Sequence, residues 1–90
     1  PVLTVVLDNT GWGAVKAATL RVYPEGEAKT EGEFGATLSP HMNFAKVAEA
    51  SGAYGELVSD PAQVEAAIAR CLDAVRGGRS ALLHAKVTKI

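Results

Sequence analysis

Apolar positions in this chain fall in blocks whose spacing changes from one block to the next. Residues 2–7 form an apolar run broken only by Thr4, and the run stops at Asp8-Asn9. A continuous run, unlike strict alternation, predicts a strand covered on both faces. After Gly11 the period changes. Trp12, Val15, Thr19 and Val22 recur at spacings of three and four with alanines between them, which predicts a helix over 11–22 with Thr10 as its N-cap. Residues 23–39 hold Pro24, Gly26, Gly32, Gly35 and alternating Glu and Lys, and read as one long loop. A second helix is predicted over 43–51, capped by Asn43 and stopped at Gly52, with Phe44, Val47 and Ala48 on its apolar face. Residues 53–58 read as a short strand. The clearest helix follows Asp60 as cap and Pro61 at the first helical position. Its apolar stripe is Val64, Ala67, Ile68, Cys71, Leu72 and Val75, and Gly77-Gly78 ends it. Residues 80–87 form a last strand, more polar towards Lys89.

The order is therefore β-α-loop-α-β-α-β. Strands separated by helices imply parallel pairing through right-handed crossovers. The expected fold is α/β: a partial three-layer arrangement, with a parallel sheet of about three strands flanked by helices, in a single domain over 1–90. The chain enters its first strand with no polar lead-in, so it reads as the later part of a fold. A strand apolar on both faces and short of cover is expected to drive self-association, so a homo-oligomer is the expected state.

Composition narrows the function classes. Nine Lys and Arg stand against ten Asp and Glu, so there is no basic footprint for nucleic acid or for a membrane surface. No apolar run approaches the ~20 residues of a membrane span, and no targeting segment is read. The single Cys71 cannot form an internal disulfide. That suits a reducing compartment, and a cytoplasmic location is expected.

Candidate chemistry lies where the first strand meets the first helix. In parallel α/β sheets ligands bind beyond the carboxyl ends of strands. Asp8 and Asn9 stand at such an end, and Gly11 and Gly13 allow close backbone approach. A helix start offers free N–H groups to an anion, and amide and carbonyl oxygens suit Mg²⁺ or Ca²⁺. One reading is a site for a metal-bound phosphate. The other is a simple strand-to-helix turn in which Asp8 and Asn9 satisfy local amides.

The stretch "VVLDNTGWGAVKAATL" resembles the second half of the cofactor motif of thiamine-diphosphate enzymes. That motif opens with Gly-Asp-Gly and closes with Asn-Asn after an apolar strand. The resemblance is to the acetolactate synthase and benzoylformate decarboxylase group, and it continues through "LSPHMNFAKVAEASGAYGELVSDPAQVEAAIARCLDAVRGGRSALLHAKV". It implies that Asn9 is a side-chain ligand of the Mg²⁺ that bridges the diphosphate, and that the Gly11 carbonyl is a second ligand. Trp12, Gly13 and Val15 would lie near the cofactor. Asp8 stands where the family usually has Asn. Val15 stands where some decarboxylases have a glutamate, which argues against proton transfer from this helix. The Gly-Asp-Gly half is not in this chain, nor is anything matching the family's activating glutamate. The resemblance thus implies an N-terminal partner segment, thiamine diphosphate and Mg²⁺ in the parent enzyme, 2-oxo acid substrates, and an isolated chain that is inactive. The competing expectation is a stand-alone phosphate-binding or protein-interaction module.

The remaining reactive residues read more plainly. His84 is expected to be a half-buried or edge residue with a local hydrogen bond, and His41 a surface loop residue. Cys71 is expected to be a packing residue. Lys16 and the charges of "EGEAKTEGEF" read as solvated, since "GWGAVK" lacks the length and ending of a P-loop.

Overall fold

The computed structural model describes residues 1–38 and 41–88. The expected loop end at Ser39 and the polar Lys89 that follows the last strand lie outside the described residues. Three strands, β1 (Leu3–Asp8), β2 (Tyr54–Val58) and β3 (Ala81–Lys86), form one sheet in the order β1-β3-β2. Both pairings are parallel: Val6 stands beside His84 on one side of β3, and Leu57 stands beside it on the other. The helices are α1 (Gly13–Val22), α2 (Glu27–Glu31), α3 (Phe44–Ala50) and α4 (Val64–Arg76), with a 3₁₀ turn at Pro61–Gln63 leading into α4. No helix among the described residues is long and apolar enough to cross a membrane.

The chain divides into two compact units. One comprises 1–8 and 42–87 and contains the sheet, α3 and α4; the other is built on 9–41 and contains α1 and α2. In the first unit, side chains alternate across β3 and each face meets a different helix. Ala81 and Leu83 join Val58 and the α4 residues Ala67 and Cys71 in the core. His84, on the opposite face, packs edge-on against Phe44 of α3, with ring centroids 4.9 Å apart. The arrangement is three-layered, as expected.

Local chemistry explains the helix ends. Asn43 caps α3 by accepting the Lys46 N–H, and Asp60 accepts the Ala62 N–H. Gly52, with φ +87°, turns the chain out of α3 in the left-handed region.

Four expectations need correction. The 23–39 segment is not all loop, because Glu27–Glu31 forms the short helix α2, closed by Gly32 in the left-handed conformation. β1 is not buried on both faces: Val5 and Leu7 are 49% and 70% exposed. It is an edge strand, and α4 sits mainly over β3 and β2. The stripe of α4 is also narrower than its apolar pattern. Ala67 and Cys71 are fully buried, whereas Val64 and Ile68 are more than a third exposed and Leu72 is half-buried. Arg70, on one flank of the stripe, reaches Glu56 of β2. At 100° per residue, Val64, Ile68 and Leu72 fall on the other flank. Likewise α3 buries Ala45 and Ala48, and Val47 faces solvent.

Candidate functional site

Residues 9–12 form a tight turn held by their own polar groups. The Asn9 Oδ1 accepts the Gly11 N–H at 3.1 Å, and the Thr10 hydroxyl donates to the Asn9 carbonyl at 2.7 Å. Thr10 takes φ +60°, the single positive value at a non-glycine among the described residues. The left-handed region is costly for a β-branched residue. The turn is braced by the segment after α2. Leu38 N–H donates to the Thr10 carbonyl at 2.8 Å, and Trp12 N–H to the Ala36 carbonyl at 2.7 Å. These two bonds flank Gly11, which stands opposite Thr37 in an antiparallel bridge. The Gly11 carbonyl is therefore not used by the bridge.

Thr10 is not the N-cap of α1. Trp12 occupies that position, its carbonyl accepts from Val15 and Lys16, and no side chain caps the helix. The bonds to 36 and 38 hold the chain leading into the helix and leave the first-turn amides of Gly13 and Ala14 uncapped by any side chain. Trp12 is 56% exposed and Val15 45% exposed, while Gly13 opens the helix. Asn9, Gly11, Trp12, Gly13 and Val15 all belong to the second unit.

Asp8 belongs to the first unit, as the last residue of β1. Its carbonyl accepts the Val87 N–H at 3.0 Å, and its Oδ2 lies 2.7 Å from the Nε2 of His84. His84 is neither half-buried nor at an edge. It sits in the middle of the central strand with no solvent exposure, and its Nδ1 accepts the Phe44 N–H at 3.2 Å. A buried imidazole needs a partner for each ring nitrogen. The signal was present in sequence: an isolated histidine in an apolar strand, and an acid ending another apolar strand. What sequence could not supply is the strand order that puts the two side by side.

A second polar group went unread. Arg70 holds the Glu56 carboxylate with two nitrogens, and Tyr54 donates its hydroxyl to Glu56 Oε2 at 2.9 Å. The Arg70 hydrogen bonds hold the Glu56 carboxyl below its ordinary range, and the Glu56 carboxylate raises the Tyr54 phenol. Cys71 is a packing residue, and burial pushes its thiol up. His41 is exposed. Lys16 places its ammonium 5.3 Å from the centre of the Phe34 ring. Among the described residues no three His, Cys, Asp or Glu side chains gather as a metal site.

The family model described as "Thiamine pyrophosphate enzyme, C-terminal TPP binding domain" matches residues 1–85. This chain belongs to that family. The match takes in β1, β2, all but the last residue of β3, and residues of both units of the thiamine-diphosphate domain described above. No curated protein and no solved structure gives a significant match.

Proposed function

We propose that the chain is the later, cofactor-holding part of a thiamine-diphosphate enzyme acting on 2-oxo acids, in the manner of acetolactate synthase or benzoylformate decarboxylase. The observation that carries this reading is the braced 9–12 turn in a chain of this family. Asn9 Oδ1 and the Gly11 carbonyl are neutral oxygens of the kind that Mg²⁺ accepts. The Gly11 N–H bond fixes the Asn9 carboxamide and still leaves its oxygen a second lone pair. The bridge holds residues 10 and 12 and passes over Gly11. Both donors thus fit a metal-bound diphosphate; two oxygens fill only part of an octahedral shell, whose other positions would go to the diphosphate, water and a residue supplied from elsewhere.

When bound, thiamine diphosphate stabilises the carbanion that forms when a bond next to a carbonyl is broken or made. The chain's own part is to hold and orient. Asn9 and Gly11 take the metal, while Trp12, Gly13 and Val15 line the start of α1 beside the turn. Val15 is aliphatic, so α1 supplies no acid at that position. The partner that completes the site is a preceding segment carrying Gly-Asp-Gly.

The test uses the full-length enzyme. Consumption of a 2-oxo acid should require thiamine diphosphate and Mg²⁺, and Asn9→Ala should raise the Mg²⁺ concentration needed at least tenfold, the equivalent of about 1.4 kcal/mol. Activity independent of the cofactor, or an unaffected Asn9→Ala enzyme, would overturn the reading.

A further inference from the structure

The Asp8–His84 pair is the strongest feature that the reading above leaves unused. Among the described residues His84 is the one fully buried polar side chain. Its hydrogen bonds fix its chemistry. The Phe44 N–H is a donor without alternatives, so Nδ1 must be the unprotonated nitrogen. The ring proton then sits on Nε2 and points at Asp8 Oδ2, 2.7 Å away. That bond has little water around it, since the Asp8 side chain is only 14% exposed. Phe44 is the first residue of α3, so its N–H is one of the amides a helix leaves unpaired. One ring thus joins three elements: it accepts from α3, sits on β3, and donates to the end of β1.

We infer that His84 is a positioning residue. As the neutral Nε2–H tautomer it holds the Asp8 carboxylate against the sheet, so that Asp8 anchors the end of β1 and is not a ligand of the metal-bound diphosphate. The inference rests on the reading of Asn9 and Gly11 as the metal-holding pair. Two of the three Asp8 oxygens are held from the sheet side: Oδ2 by His84 and the main-chain carbonyl by the Val87 N–H.

Nitrogen NMR of the imidazole in the 90-residue chain tests the first half without metal or cofactor. His84 should appear as one neutral tautomer, protonated at Nε2. Asp8→Asn retains an acceptor oxygen and should keep that tautomer and a slowly exchanging ring N–H. Asp8→Ala removes the acceptor and should speed exchange of the ring N–H about tenfold or more. It should also shift the Asn9 amide signal. A ring protonated at Nδ1, or a mixture of tautomers, in the unaltered chain overturns the inference even where Asp8→Ala fails to fold. So does an Asp8→Ala chain with unchanged exchange.

The second half is read in the full-length enzyme as Mg²⁺-dependent affinity for thiamine diphosphate. Asp8→Asn should keep it and Asn9→Ala should lose it. Loss in Asp8→Asn overturns the assignment of Asp8. Retention in Asn9→Ala overturns the metal-holding turn instead, and leaves the tautomer result standing.

Discussion

Gly55 of β2 lies directly against the main chain of Ala45 in α3. A Cβ at position 55 would overlap the Ala45 carbonyl at a separation real side chains do not show. The obstacle is backbone, so relief requires moving α3 away from the sheet. Gly55→Ala should cost about 3 kcal/mol, the upper end of overpacking. The check is the urea midpoint, with the slope unchanged. An unaltered midpoint would mean that α3 is loosely seated.

Glu56 gives the fold a pH dependence of known sign. Its folded-state carboxyl is held below the ordinary value of 4.5, first by the Arg70 hydrogen bonds and then by the Tyr54 hydroxyl. The contribution is therefore complete above the unfolded value and is lost as pH falls through the lower folded one. Half of the Arg70 side chain is exposed, so screening keeps the contribution modest. Melting curves of Glu56→Gln should fall below those of the unaltered chain at neutral pH. The two should converge in strong acid. A difference that persists there would assign the effect to packing.

Thr10 is strained and exchangeable. Asn tolerates the left-handed conformation better than a β-branched residue does. Thr10→Asn forgoes the hydroxyl bond to the Asn9 carbonyl. Partial relief of a strain of about 1–2 kcal/mol, set against a bond worth about 1 kcal/mol, keeps the change within about 1 kcal/mol. Thermal unfolding decides the sign, and a clear loss would show that the hydroxyl holds the turn.

How far these elements could be read in sequence depended on how local their causes were. The Asn43 cap, the Gly52 stop and the period of 64–75 are set within one or two helical turns, and each is found; Asp60 does cap, but it caps the 3₁₀ turn at Pro61–Gln63, and the α-helix starts only at Val64. The depth of burial was not legible. Val5, Leu7, Val64 and Ile68 are as apolar as any core residue, yet their exposure follows from β1 lying at the edge and α4 covering mainly β3 and β2. The candidate turn shows the same division. Asn9 and the glycines announce a turn, but its brace comes from Ala36 and Leu38, more than twenty residues on. His84 was noticed and misplaced, because only the strand order makes β3 central.

That exposed apolar surface leads us to propose that the isolated chain self-associates. Covering ~400 Å² of it is worth about 10 kcal/mol in gross transfer. Association costs of ~4–15 kcal/mol consume much of this, so a weak dimer is expected. Sedimentation at tens of micromolar should show a species heavier than one chain, and Leu7→Glu should return it to monomer. A clean monomer for the unaltered chain would contradict the proposal.

The central claim is that Asn9 and Gly11 hold the metal-bound diphosphate. Two oxygens fill only part of an octahedral shell, so calorimetry of the isolated chain at micromolar concentration should show no saturable binding. The direct test is therefore NMR of the labelled chain at millimolar Mn²⁺, with and without thiamine diphosphate. The cofactor should add line broadening centred on the Asn9 side-chain amide and the Gly11 N–H, and Asn9→Ala should abolish it. Cofactor-dependent broadening centred elsewhere, or none at the turn, would contradict the account.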